Sequence, residues 1–264
     1  MARILSISSQ VVRGHVGNSA AVVALQRLGH EVWPLPTVVL SNHPGHPKVA
    51  GLRIPPETML AMVVALRDNG WLGEIDAVST GYLPSAAHVS AAAEVIGMIR
   101  TARSDALVLV DPVLGDDPKG LYIEEEAAQA VRDKLLPLAD VLTPNRFELA
   151  WLSRLPVADA ASAATAAEAL GVDFLIATSI PGAVNELINL LHAQENRIQV
   201  AVPKRRFAPH GTGDLLAALF LGRMLKRESA SAALRAAVAE VEAAIAASAG
   251  LDELRLTAPI GRGG

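Results

Sequence analysis

Apolar positions along this chain follow two alternating rhythms. Residues 106–110 are a short, unbroken apolar run, the pattern of a strand covered on both faces, and residues 3–8 also read as a buried strand. Residues 76–80, 140–142 and 174–178 repeat it in shorter form. Between them, apolar residues recur three and four apart, as on one face of a helix. The stretch 18–28 starts at the capping residue Asn18 and stops at Gly29; another opens on Pro55-Pro56, carries Leu60, Val63, Val64 and Leu66, and closes at Gly70. Further helices are expected over 85–103, where Val89, Ala93, Ile96 and Ile99 share a stripe, and over 124–136, 145–153 and 158–170.

Three segments break the rhythm. Residues 31–40 are extended but contain Pro34 and Pro36, which predicts an edge strand or one that leaves the sheet early. Residues 41–48 crowd Pro, Gly and His together without a period and predict a loop or flap. After Gly182, runs at 186–191 and 197–202 flank Gln194-Glu195-Asn196 as an antiparallel hairpin. Two helices follow, one from Gly213 or Asp214 to 226, the other over 231–248 as a packing helix; 257–264 reads as a loose tail.

Strand, helix, strand, repeated without a composition break, predicts an α/β fold. The expected architecture is one domain over 1–264, with a mostly parallel central sheet, helices on both faces and a short flap. The chain is 51% hydrophobic but 3% aromatic, so the core is mostly Ala, Val, Leu and Ile. A net charge of −4 supplies no general basic face for nucleic acid. With no cysteine, disulfides, thiolate zinc sites and Cys nucleophiles are excluded. No run approaches the ~18 apolar residues of a membrane span, and the first residues turn polar too soon for a signal peptide. The expectation is a soluble cytoplasmic protein with neither membrane nor nucleic-acid partners.

In such a sheet, ligands bind outside the carboxyl ends of the strands. Ser8-Ser9, Gly81-Tyr82, Asp111-Pro112, Thr143-Pro144-Asn145 and Thr178-Ser179 each follow a predicted strand and would share one rim, although turns favour the same residue types. The sequence His210-Gly211-Thr212-Gly213-Asp214 precedes an apolar helix. Two glycines there let consecutive N–H groups point at one anion, and an ionised Asp214 could take a proton from a substrate hydroxyl. A glycine turn with Asp214 as an ordinary helix N-cap fits the pentapeptide equally. There is no Walker motif, dinucleotide fingerprint, nucleophile elbow or paired-histidine zinc motif.

Taken together, these motifs resemble the pyridoxal kinases of the ribokinase-like superfamily over nearly the whole chain. The carriers are Ser-Gln-Val-Val-Arg-Gly-His-Val-Gly-Asn-Ser-Ala at 9–20, Val32-Trp33-Pro34-Leu35, Thr37, Ser41-Asn42-His43 and Gly81-Tyr82-Leu83. Asp111-Pro112-Val113-Leu114-Gly115-Asp116, Thr143-Pro144-Asn145, Phe147-Glu148, Thr178-Ser179 and Gly211-Thr212-Gly213-Asp214 complete them. The resemblance implies ATP-dependent phosphorylation of the 5′-hydroxymethyl group of pyridoxal or a related B6 vitamer. It casts Asp214 as the base and Gly211, Thr212 and Gly213 as the anion hole. Asp111, Asp116 and Glu148 would serve the phosphates and magnesium, directly or through water. Thr143, Thr178, Ser179, Phe207 and His210 would contact ATP. Ser9, Tyr82 and the flap residues His43, Pro44 and His46 would meet the ring. A monovalent cation and a homodimer belong to the same picture.

The flap departs from the family pattern, since Pro44 replaces a usual Thr and His46 a usual aromatic; proline offers neither hydroxyl nor N–H to a ring substituent. The run Lys204-Arg205-Arg206 reads either as a solvated loop or as a contact to nucleotide phosphates. Two other functions share these features. One is a hydroxymethylpyrimidine kinase of the same fold, which typically has Cys after Gly-Thr-Gly. The other is a nucleotide- or vitamer-binding sensor without catalysis.

Overall fold

A computed structural model describes residues 1–193, 196–205 and 208–256. Phe207 and the tail 257–264 lie outside the described residues, as do Gln194, Glu195 and Arg206. The strands are β1 (Arg3–Val11), β2 (Glu31–Leu40), β3 (Gly51–Arg53), β4 (Ala77–Thr80), β5 (Leu107–Val110), β6 (Gly115–Asp116), β7 (Gly120–Leu121), β8 (Val141–Leu142), β9 (Phe174–Pro181), β10 (Glu186–Ala193) and β11 (Asn196–Pro203). The α-helices are α1 (Asn18–Arg27), α2 (Pro56–Asp68), α3 (Ala86–Ala102), α4 (Glu125–Ala130), α5 (Arg146–Ser153), α6 (Ala160–Leu170), α7 (Thr212–Leu225) and α8 (Ala230–Ala247).

Among the described residues nine strands form one sheet in the order β11-β10-β9-β8-β5-β4-β1-β2-β3. From β9 across to β2 every pairing is parallel; β10, β11 and β3 join antiparallel. Strand alternation splits the core in two. Val108 and Val110 of β5 face the cluster built with α2 to α6, while Leu109 between them faces the cluster built with α1, α7 and α8. Strand order reverses at β1, which lies between β2 and β4, so the crevice at their carboxyl ends is where a doubly wound sheet takes its ligand. Among the described residues no helix is long and apolar enough to cross a membrane.

The structure corrects several boundaries. β1 runs on to Val11 and β9 to Pro181, so Ser9 and Ser179, beyond the expected strand ends at Ser8 and Thr178, lie inside strands. Both strands are irregular there: the β1–β2 register shifts between Ser8 and Gln10, and the β9–β10 register shifts opposite Thr178 and Ser179, where Ser179 takes φ 58°. β2 is an edge strand only in part, because β3 covers Val38, Val39 and Leu40. The amide of Glu31 donates to Ala2 O, so alternation turns Pro34 and Pro36 away from β1, where a missing N–H leaves the ladder intact. The helix expected over 124–136 is α-helical only to Ala130; it widens over Val131–Leu135 and ends in a tight turn containing Pro137.

Candidate active site

The first amides of α7 form the centre of the crevice. Gly211 precedes the helix at φ 94° and offers no side chain to cap it. A Cβ on Gly211 would stand 1.9 Å from His15 O, so only glycine lets the turn pack against the loop after β1. The N-terminal amides and the helix dipole therefore face the crevice. Asp214 is not the N-cap considered as one alternative; it lies three residues past Gly211, in the first turn. Its carboxylate accepts the Gly17 amide and its own N–H, and burial still pushes it up to about 6.

A base with that pKa sets a pH limit. Turnover is expected to rise with pH through about 6 as Asp214 ionises and then to level off. A kcat profile unchanged between pH 5 and 7 would show that Asp214 carries no essential negative charge.

The neighbours of Asp214 come from the two strands at the reversal. Ser9 stands against Gly17, since a Cβ on Gly17 would lie 2.2 Å from Ser9 Oγ. A Cβ on Gly81 would lie 2.5 Å from Ser8 Oγ and 4.0 Å from Asp214 Oδ1. Ser8 Oγ accepts the Tyr82 amide at 3.2 Å, and Thr37 Oγ1 donates to Tyr82 O at 2.8 Å. These bonds fix the loop after β4. A small cleft between Ser8, Gly17, Gly81, Asp111 and Asp214 is left at the meeting point.

The carboxylates beyond it have distinct roles. Asp111 is pushed well up by burial first and by Glu148 and Asp214 second, and Thr143 Oγ1 donates to it at 3.0 Å. Glu148 is buried rather than solvated. Its Oε1 accepts the Leu114 and Gly115 amides at 2.8 and 3.4 Å, and its Oε2 accepts the Asn145 amide at 2.9 Å. Asn145 returns the bond at the start of α5 as a capping box, and burial holds Glu148 up at about 7. Glu148 thus fastens the 113–115 loop, with both oxygens engaged. Asp116 Oδ1 is buried without a hydrogen-bond partner among the described residues. Asp111 and Asp116 supply hard oxygens that suit magnesium, but they do not join Glu148 in a single close three-ligand group among the described residues, an arrangement that suits an ion kept partly hydrated.

On the far side of the Gly-Thr-Gly turn lies a cavity of about 170 Å³ lined by Thr178, Ser179, Asn189, Thr212, Gly213 and Val241. The amide of Thr178 donates to Pro144 O at 2.9 Å, which brings the ends of β8 and β9 together. Arg205 Nη2 donates to Glu242 across the mouth at 2.7 Å. Of the cationic run, then, Arg205 borders the cavity while remaining exposed.

The flap reaches the residue that precedes the Gly-Thr-Gly turn. His43 stacks on His210 at 3.7 Å between ring centroids. Burial first, and then His210, His46 and Lys119 nearby, lower His43 to about 4. His46 turns toward Glu253, and Pro44 is exposed. Ser8 belongs to the rim expected from the sequence, whereas Gly17, Lys119 and Glu253 are not expected there as site residues. Gly17 lies inside the 9–20 motif, whereas nothing local marks Glu253.

A phosphomethylpyrimidine kinase family profile matches residues 26–258. Pyridoxal kinase PdxY of Corynebacterium diphtheriae is 37% identical over 237 residues, covering 88% of this chain and 84% of its own. That of Leifsonia xyli is 34% identical over 262 residues, covering 96% and 93%. The chain belongs to the pyridoxal kinase family. Among solved members, the pyridoxal kinase from Leishmania donovani in complex with ADP and pyridoxamine superimposes with a TM-score of 0.92 at 34% identity, over 98% of this chain and 94% of that one. The family's ribokinase-like α/β fold is therefore the fold of this chain.

Proposed function

We propose that this pyridoxal kinase family member transfers the γ-phosphoryl group of ATP to the 5′-hydroxymethyl group of pyridoxal or a related B6 vitamer, giving pyridoxal 5′-phosphate. The observation that carries the reading is a recessed carboxylate, Asp214, set one turn inside a helix whose uncapped N-terminal amides face the same crevice. The substrate oxygen attacks in line, and Asp214 receives its proton as the bond to phosphorus forms. The amides of Thr212 and Gly213 hold the transferring phosphoryl oxygens. The transition state of phosphoryl transfer is loose, so positioning and charge stabilisation supply most of the rate and a weak base is enough. Asp111 and Asp116, with water, would hold magnesium, which neutralises charge on the β- and γ-phosphates when bound. The cavity lined by Thr178, Ser179 and Asn189 takes the nucleoside, and Ser9 and Tyr82 border the ring. We further take the chain as one kinase domain that works as a cytoplasmic homodimer, with a monovalent cation assisting nucleotide binding.

The test is ATP turnover with pyridoxal, pyridoxine, pyridoxamine and hydroxymethylpyrimidine. The expected result is a B6 vitamer favoured at least about tenfold in kcat/KM. The family profile favours a second reading, a pyrimidine acceptor, and preference for hydroxymethylpyrimidine would establish it. ATP binding with turnover of neither would make the chain a sensor.

A further inference from the structure

The flap is tied down by a residue more than two hundred positions along the chain. His46 Nε2 donates to Glu253 Oε1 at 3.0 Å. Arg13 Nη1, from the loop after β1, donates to the same oxygen at 2.9 Å, and Arg13 Nη2 reaches Asp252 at 3.0 Å. The side chain of Glu253 is only 12% exposed, and it packs on Gly14, where a Cβ would lie 2.2 Å from Oε2. The backbone of Glu253 forms a parallel bridge with His210, the residue just before the anion turn and the one on which His43 stacks. His15 and the Leu254 carbonyl add a 2.7 Å contact beside it. One carboxylate therefore joins the flap, the loop after β1 and the turn that leads into α7. The group His46, Asp252 and Glu253 has the spacing of metal ligands, but the Arg13 guanidinium already occupies both carboxylates and opposes a second cation.

We infer that Glu253 is a positioning residue that latches the flap over the acceptor by holding His46 against the anion turn. A closed flap excludes water from the phosphoryl group and keeps His43 on His210. Without the latch the flap spends more time open, and the acceptor's apparent affinity falls by the fraction of time it is closed. The inference rests on the acceptor reading given above, but one arm of its test does not.

The experiment compares the full chain with His46→Ala, Glu253→Ala, Glu253→Gln and the His46→Ala/Glu253→Ala pair. Glutamine retains an oxygen that accepts from His46 and serves as the conservative rescue. Each alanine variant should raise KM for pyridoxal about tenfold, the scale of one charge-assisted hydrogen bond, with kcat within about twofold. The pair should be no worse than the worse single variant, and Glu253→Gln should recover most of the loss. Both alanine variants should also release more inorganic phosphate per vitamer phosphorylated. Independently of any acceptor, trypsin should cut faster after the exposed Lys48 in the alanine variants, as read by mass spectrometry. Equal cutting rates in all forms would overturn the latch whatever the substrate is. Additive losses in the pair would overturn it too. If the parent chain does not phosphorylate pyridoxal, the acceptor reading fails, and the trypsin arm still decides the latch.

Discussion

Replacing Asp214 by asparagine is expected to lower turnover by about 10²- to 10⁴-fold, the usual worth of a general base, while ATP affinity stays within about twofold. Asparagine is the cleaner change because its carbonyl can still accept the Gly17 amide, which alanine would leave unpaired. Alanine should lose at least as much turnover and some stability besides. The asymmetry between turnover and nucleotide binding follows from geometry. Asp214 borders the cleft with Ser8 and Gly81, whereas the cavity proposed for the nucleoside is built from Thr178, Ser179 and Asn189 on the other side of the turn. Isothermal titration with a non-hydrolysable ATP analogue, beside steady-state kinetics, separates the two quantities. Near-normal kcat in the asparagine variant would remove Asp214 from the base role.

A single methyl group on Gly211 should be almost as damaging. Gly211→Ala must place a Cβ where His15 O stands at 1.9 Å and must also hold φ 94°, a region that costs a side chain about 1–3 kcal/mol. The turn has to move, and with it the amides of Thr212 and Gly213. Loss of preorganised donors of this kind costs about 10²–10³ in kcat. The same strain should lower the melting temperature by several degrees, at roughly 2–4 °C per kcal/mol for a chain of this size. Unlike the asparagine variant, this one should also bind nucleotide more weakly, because Thr212 and Gly213 line the cavity proposed for the nucleoside too. Full kcat with the lowered melting point would show that these amides do not hold the transferring group.

Legibility in the sequence followed burial. A run such as 106–110 announces a strand because both faces of a central parallel strand are apolar, and β5 is where it was expected. β3 could not be seen, since Gly51, Leu52 and Arg53 are all exposed and too few to show an alternation. The two-residue strands β6 and β7 have no period at all. The strand extensions through Ser9–Val11 and Ser179–Pro181 were hidden because the polar residues there read as turns, while the ladder continues across irregular registers. At the site, residue types were readable and partners were not. Glu148 reads locally as a first-turn acid, but its Oε1 takes amides 33 and 34 positions away. Whether Asp214 caps α7 turned on where the helix begins, which the pentapeptide leaves open by one turn.

The contacts around Gly211 also have a consequence for the order of assembly. The turn rests against His15, His15 contacts a carbonyl 239 positions away at Leu254, and Asp214 is held by Gly17. Every one of these pairings closes a very long loop, and contacts of such separation are the slowest to form. A refolding chain should therefore regain its sheet and most of its helix signal before it can turn over ATP.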